Sequence, residues 1–97
     1  MSFVIITKVI ILRDHLIKIM FYHVYILESL KDNNFYTGFT SDLKPRLKMH
    51  YSGKVRSTKN RIPLKLIYYE AYLNKQDAKG RELFLKSGSG KKLFVNN

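Results

Sequence analysis

The alternation of apolar and polar positions divides the chain into segments of different period. Phe21-Tyr22-His23-Val24-Tyr25-Ile26-Leu27 is aromatic and β-branched and predicts a strand. Lys31-Asp32-Asn33-Asn34 is turn chemistry, and Phe35-Tyr36-Thr37-Gly38-Phe39 then predicts a second strand, closing a hairpin. Thr40, Ser41 and Asp42 each suit a helix N-cap. A helix to about Tyr51 follows, with Pro45 confined to its first turn if the cap is Ser41 or Asp42, and Ser52-Gly53 ends it. Residues 54–63 read as a basic loop without apolar period. Leu64 to Leu73 predicts a third strand, and Asn74 caps a second helix over about Lys75 to Lys86. The order β-β-α-β-α predicts an α+β fold: a small three-stranded antiparallel sheet flanked by helices.

Residues 1–19 differ from the rest. Val4-Ile5-Ile6 and Val9-Ile10-Ile11-Leu12 are short apolar runs interrupted by Lys8, Arg13, Asp14 and Lys18. No run approaches the roughly 20 residues of a spanning helix, and no stable membrane insertion is expected. The segment is read as an N-terminal extension, an accessory strand or helix without assigned chemistry, and residues 20–97 as the single folded domain. At the other end, Gly88-Ser89-Gly90-Lys91-Lys92 follows a helix instead of a strand and lacks the Ser or Thr of a phosphate-binding loop, so it reads as a turn and basic tail. Gly90 to Val95 is expected to add at most a short closing element.

Charge narrows the function. Eighteen Lys and Arg against seven Asp and Glu give a formal net charge of +11 in 97 residues. A small domain with that excess repels itself unless it meets a polyanion, and nucleic acid is the commonest such partner. The alternatives are an inert basic surface, or a ribosome- or membrane-surface protein. With no Cys, disulfides, cysteine zinc sites and cysteine nucleophiles are excluded. A cytoplasmic location is expected.

Several side chains stand where a purely structural pattern does not call for them. On the first helix Leu43, Leu47 and His50 share one face, with Arg46 beside it. Arg46 either reaches past the core to solvent or meets an anion, and His50 is either a satisfied core histidine or part of a site. On the second helix Glu82 falls between Ala78 and Leu85, so its carboxylate awaits a metal or an arginine, or pairs with Lys86 one turn on. Gly80 inside that helix costs about 1 kcal/mol relative to alanine. Tyr25 and Tyr36 lie on strands that the hairpin makes adjacent, and Gly38 marks a close approach within a strand.

Together these residues resemble the GIY-YIG nuclease superfamily. His23-Val24-Tyr25 stands for the first half-motif, with His23 in place of the usual glycine, and Tyr36-Thr37-Gly38 for the second, with ten residues between them. Thr40 to Leu47 resembles the family's loop and helix with its arginine, His50 fits the R-x-x-x-H spacing, and Asp77 to Glu82 resembles the helix that carries an acidic metal ligand. The match runs from about Phe21 to Leu93 and is similar to short stand-alone members that resemble the nuclease domain of the bacterial excision-repair incision subunit. The resemblance implies a metal-dependent endonuclease that hydrolyses nucleic-acid phosphodiester bonds, with DNA as the expected partner and a place in DNA repair. Its catalytic set would be Tyr25, Tyr36, Arg46, His50 and Glu82, with Glu82 holding Mg²⁺ or another divalent cation. Tyr25 would orient or deprotonate the attacking water, a base role needing a lowered pKa. Arg46 would stabilise charge on the phosphate, and Lys54, Arg56, Lys59 and Arg61 would grip backbone phosphates. The alternative is a non-catalytic basic nucleic-acid-binding module on the same fold.

Overall fold

The computed structural model describes residues 4–6, 9–12 and 15–91. Three short strands come first: β1 (Val4–Ile6), β2 (Val9–Leu12) and β3 (His15–Lys18), paired as an antiparallel meander. The accessory-strand reading of this segment thus becomes a small sheet of its own. The first two strands coincide with the two apolar runs Val4-Ile5-Ile6 and Val9-Ile10-Ile11-Leu12.

The main sheet has the order β5-β4-β6, all antiparallel, from β4 (Tyr22–Ser29), β5 (Phe35–Thr40) and β6 (Leu64–Tyr72). β4 is central because its run Val24-Tyr25-Ile26-Leu27 is buried on both sides. Tyr25 and Leu27 point to one face, Val24 and Ile26 to the other, as the two-residue period requires. The β4–β5 turn uses Asn33 in the left-handed region (φ 61°), a conformation asparagine tolerates. Ser29 holds this turn to a distant loop through its hydroxyl, which donates to the Arg61 carbonyl at 2.6 Å.

The helices cover opposite faces. α1 (Leu43–Tyr51) packs Leu43 and Leu47 onto Tyr25, Leu27 and Leu64. Asp42 is its N-cap without a side-chain cap bond; instead its own N–H donates to Thr40 Oγ1 at 3.1 Å. Pro45 sits in the first turn, where its missing N–H leaves nothing unpaired. Gly53 ends the helix at φ 74°. α2 (Lys75–Lys86) begins at Asn74, which accepts from the Asp77 N–H at 3.0 Å, and buries Ala78 and Leu85 on Val24 and Ile26. No neighbour lies within 4 Å of where a Gly80 Cβ would stand, so nothing around it requires glycine.

α2 is also fastened by polar contacts. Glu70 on β6 accepts from Arg81 Nε at 2.9 Å and Nη2 at 3.0 Å, from the Tyr72 hydroxyl at 2.7 Å and from the Tyr68 hydroxyl. This forked pair ties the helix turn carrying Glu82 to the sheet. The expected turn and tail after α2 is instead a short helical turn, α3 (Gly88–Lys91). Of the closing element expected over Gly90 to Val95, Lys92 to Val95 lies outside the described residues. Among the described residues no helix is long and apolar enough to cross a membrane.

Candidate active site

The hairpin places Tyr25 opposite Gly38 and Leu27 opposite Tyr36, so both tyrosines share the α1 face of the sheet. Their rings lie 6.4 Å apart between centroids. A Cβ on Gly38 would fall on the Tyr25 hydroxyl and Cζ and within 2.8 Å of Cε2. The missing side chain is therefore what gives the Tyr25 phenol its place.

α1 aims His50 at that phenol. Tyr25 Oη and His50 Nε2 are 2.7 Å apart, and His50 Nδ1 is 2.8 Å from Thr58 Oγ1. Arg46, one turn earlier, approaches the same phenol with Nε at 3.5 Å. Arginine only donates, so the Tyr25 oxygen accepts from Arg46; with His50 as its Nδ1–H tautomer, the Tyr25 O–H donates to Nε2. That Nδ1–H then donates to Thr58. Both rings of the pair Tyr25 and Tyr36 make edge contacts with the imidazole, at 5.5 Å and 5.2 Å.

Burial fixes the protonation states. Desolvation, helped by the Arg46 charge, pushes the His50 pKa down to about 4. The Tyr25 hydroxyl is raised above its usual value by burial, and the Arg46 hydrogen bond offsets this only partly. The lowered tyrosine pKa that a base role required is therefore absent: at neutral pH Tyr25 is a phenol and His50 a neutral imidazole. Arg46 is held even more firmly protonated by its bond to Tyr25.

His50 makes stability pH-dependent. Its folded pKa lies below the unfolded value of about 6.5, so its neutral form contributes fully above that pH. That contribution is lost as pH falls from about 6.5 towards about 4, up to about 3 kcal/mol in all. An NMR titration of the His50 ring should show a midpoint near 4 with urea midpoints declining across the same window. A His50 midpoint near 6.5 would contradict this.

The remaining expected residues divide. Arg46, Lys54 and Arg56 line one open cleft of about 540 Å³ with Val55 and Ser57. Ser57 also reaches Tyr36, its hydroxyl 3.4 Å from the phenol. Lys59 is exposed, and Arg61 is turned away from this set by an ion pair with Asp32, Nε to Oδ2 3.0 Å. The loop read as featureless is anchored by buried Val55 and Thr58 and by hydrogen bonds from the Thr58 and Lys59 N–H groups to the Val55 carbonyl.

Of its two sequence readings, Glu82 shows the pair with Lys86 one turn on. Its side chain is only 12% exposed, yet it pairs with Lys86 at 2.9 Å. From α2 its charge is still felt by the Tyr25 hydroxyl, which it helps to raise. Among the described residues no three His, Asp or Glu side chains converge as a metal group. Glu82 offers the carboxylate oxygen that Mg²⁺ takes as a ligand, and it would hold such an ion only with Lys86 displaced.

The family model described as the GIY-YIG catalytic domain matches residues 21–94. The chain belongs to the GIY-YIG family. It is 43% identical over 65 residues to the UPF0213 protein CPE1444 of Clostridium perfringens, covering 66% of this chain and 69% of that one. It is 40% identical over 65 residues to a UPF0213 protein of Streptococcus pneumoniae, covering 66% and 65%. The solution NMR structure of the UPF0213 protein BH0048 from Bacillus halodurans matches with TM-score 0.51 and 39% identity, over 78% of this chain and 83% of that one. GIY-YIG is a nuclease superfamily whose members bind nucleic acid and generally use divalent metals. In this GIY-YIG chain the two half-motifs supply Tyr25, Tyr36 and Gly38, and α1 supplies Arg46 and His50 to the same spot.

Thr58 is the polar partner that sequence reasoning missed. It is buried and fixes the far side of His50, but a threonine in a basic loop carries no periodic signal. The Glu70–Arg81 clamp was equally silent, since its partners lie on separate elements.

Proposed function

We propose that the protein is a metal-assisted endonuclease that hydrolyses phosphodiester bonds of DNA. The observation that carries this reading is the chain Arg46–Tyr25–His50–Thr58 at the edge of a cleft lined by Arg46, Lys54 and Arg56. The tyrosine is 0% exposed, with Arg46 against its oxygen. Phosphate is a stronger partner for a guanidinium than a neutral phenol is. An incoming phosphodiester therefore draws Arg46 off Tyr25, and the freed lone pair of the phenol accepts a hydrogen bond from the attacking water. His50, kept neutral by burial, holds the phenol's own proton away from that water. Tyr25 thus orients the nucleophile without being deprotonated: as the water oxygen bonds to phosphorus and the bond to the leaving oxygen breaks, the water's proton passes by way of a phosphate oxygen to the leaving oxygen. Arg46 meets the charge that builds on the phosphate oxygens, where fixed cations are most effective. Tyr36 is linked to that pocket through Ser57, which lines it. Lys54 and Arg56 hold the flanking backbone without reading bases. Glu82 would hold a divalent cation, which supplies charge neutralisation at the scissile phosphate and at the leaving oxygen.

Supercoiled plasmid incubated with Mg²⁺ or Mn²⁺ provides the test. Wild-type protein is expected to nick it, and Glu82→Gln to lower the rate more than about tenfold. Equal rates for the two proteins would remove Glu82 from the chemistry. A non-catalytic binding module on the same fold is the second reading. The observation favouring it is the Lys86 ammonium already seated on the Glu82 carboxylate. It expects no metal-dependent nicking and equal DNA affinity for wild type and Glu82→Gln.

A further inference from the structure

The Tyr25 face of the sheet carries side chains that the cleavage chemistry does not use. Tyr69 on β6 lies directly opposite Tyr25, and Ala71 opposite His23. Directly paired residues point to the same face, with Cβ atoms about 5 Å apart. α1 covers the end of this face that carries Tyr25, Leu27 and Leu64, through Leu43 and Leu47. The face is open at Tyr69, which is 55% exposed. Its ring does not stand alone. Tyr69 and His23 have centroids 6.2 Å apart, and His23 and Phe21 6.5 Å apart, all tilted. The neighbouring tyrosines of β6 are employed otherwise, Tyr68 and Tyr72 donating to Glu70 on the α2 side.

From this juxtaposition we infer that Tyr69, flanked by His23 and Phe21, is a stacking platform for an unpaired base of single-stranded nucleic acid. The inference deepens the cleavage reading and rests on it only for placing the adjoining phosphate beside Tyr25 and Arg46. A basic track with an open aromatic ring next to it is the combination that holds single strands: cations follow the backbone and the ring meets the face of a base. Arg46, Lys54 and Arg56 supply the cations, and Arg46 reaches the sheet at Tyr25, the residue against which Tyr69 is paired. Every base has such a face, so the platform selects for unpaired nucleotides and not for sequence. A blunt duplex keeps its bases stacked on one another and offers Tyr69 no free face. The substrate class so defined is an unpaired stretch of strand, as in a single strand, a gap or the transiently opened region of a supercoiled plasmid.

The test is fluorescence anisotropy in EDTA, which withholds metal and so separates binding from cleavage. The probes are labelled DNA and RNA single strands of about 12 nucleotides, within the usual span of such sites, and a blunt duplex of equal length. Tyr69 is exposed, so its substitution leaves the core intact. Tyr69→Ala is expected to weaken single-strand binding about tenfold while changing duplex binding less than about twofold. Tyr69→Phe, which keeps the ring, should bind as wild type. A loss on the DNA probe, the RNA probe or both supports the platform and assigns the strand chemistry. Unchanged single-strand binding by Tyr69→Ala, or an equal loss on strand and duplex, would overturn it. Such a failure leaves the plasmid result standing, and an absence of nicking leaves the platform standing.

Discussion

Tyr25→Phe is expected to lower metal-dependent nicking at least about 100-fold while the protein stays folded. The substitution removes one oxygen from a site otherwise filled by the same ring. That oxygen is the acceptor for Arg46 and the donor to His50 Nε2. Without it the attacking water has no fixed acceptor, and misplacing a reactant by about 1 Å can cost on the order of 100-fold. His50 Nε2 is meanwhile left buried without its donor, a cost of about 1–3 kcal/mol to stability. DNA binding should change little, because Lys54 and Arg56 are untouched. The check pairs nicking rates with DNA affinity and urea midpoints. A variant that nicks at the wild-type rate would show that the phenol orients nothing.

Gly38→Ala is the second large effect, and it works at one remove. The added methyl occupies the position of the Tyr25 hydroxyl and Cζ. Backbone on β5 is pinned by its ladder to β4, so the tyrosine must move. Its ring is fully buried between the sheet and His50, which leaves no open space to move into. Overpacking of this kind costs about 1–3 kcal/mol. The displaced phenol also loses its geometry to His50 and Arg46, so nicking should fall about as far as in Tyr25→Phe. A Gly38→Ala protein with wild-type stability and rate would show that the site tolerates a shifted tyrosine.

The sheet and both main helices were legible because their signals are local. Aromatic and β-branched runs marked β4, β5 and β6, Asn74 marked the start of α2, and Pro45 limited where α1 could begin. Tyr25, Tyr36, Arg46 and His50 could be brought together on paper by the half-motifs and the helix wheel. What stayed hidden depends on segments far apart in the chain. The direction of the Tyr25 pKa follows from burial beneath α1, which no spacing reveals. Thr58 and the Asp32 partner of Arg61 come from loops that meet only in the folded protein. For the same reason Lys59 and Arg61 looked equivalent to Lys54 and Arg56, although only the latter two line the cleft with Arg46. Tyr68, Tyr69 and Tyr72 looked alike in sequence, and their register against β4 separates two that brace Glu70 from one that faces outward.

A crystal structure of Tyr25→Phe with a short DNA and Mg²⁺ examines the arrangement at its centre. The expected result is a backbone phosphate within hydrogen-bonding reach of the Arg46 guanidinium, a metal ion on the Glu82 carboxylate, and Lys86 released from it. DNA lying across another surface, with Arg46 still against residue 25 and the ion bound elsewhere, would contradict the site described for this chain.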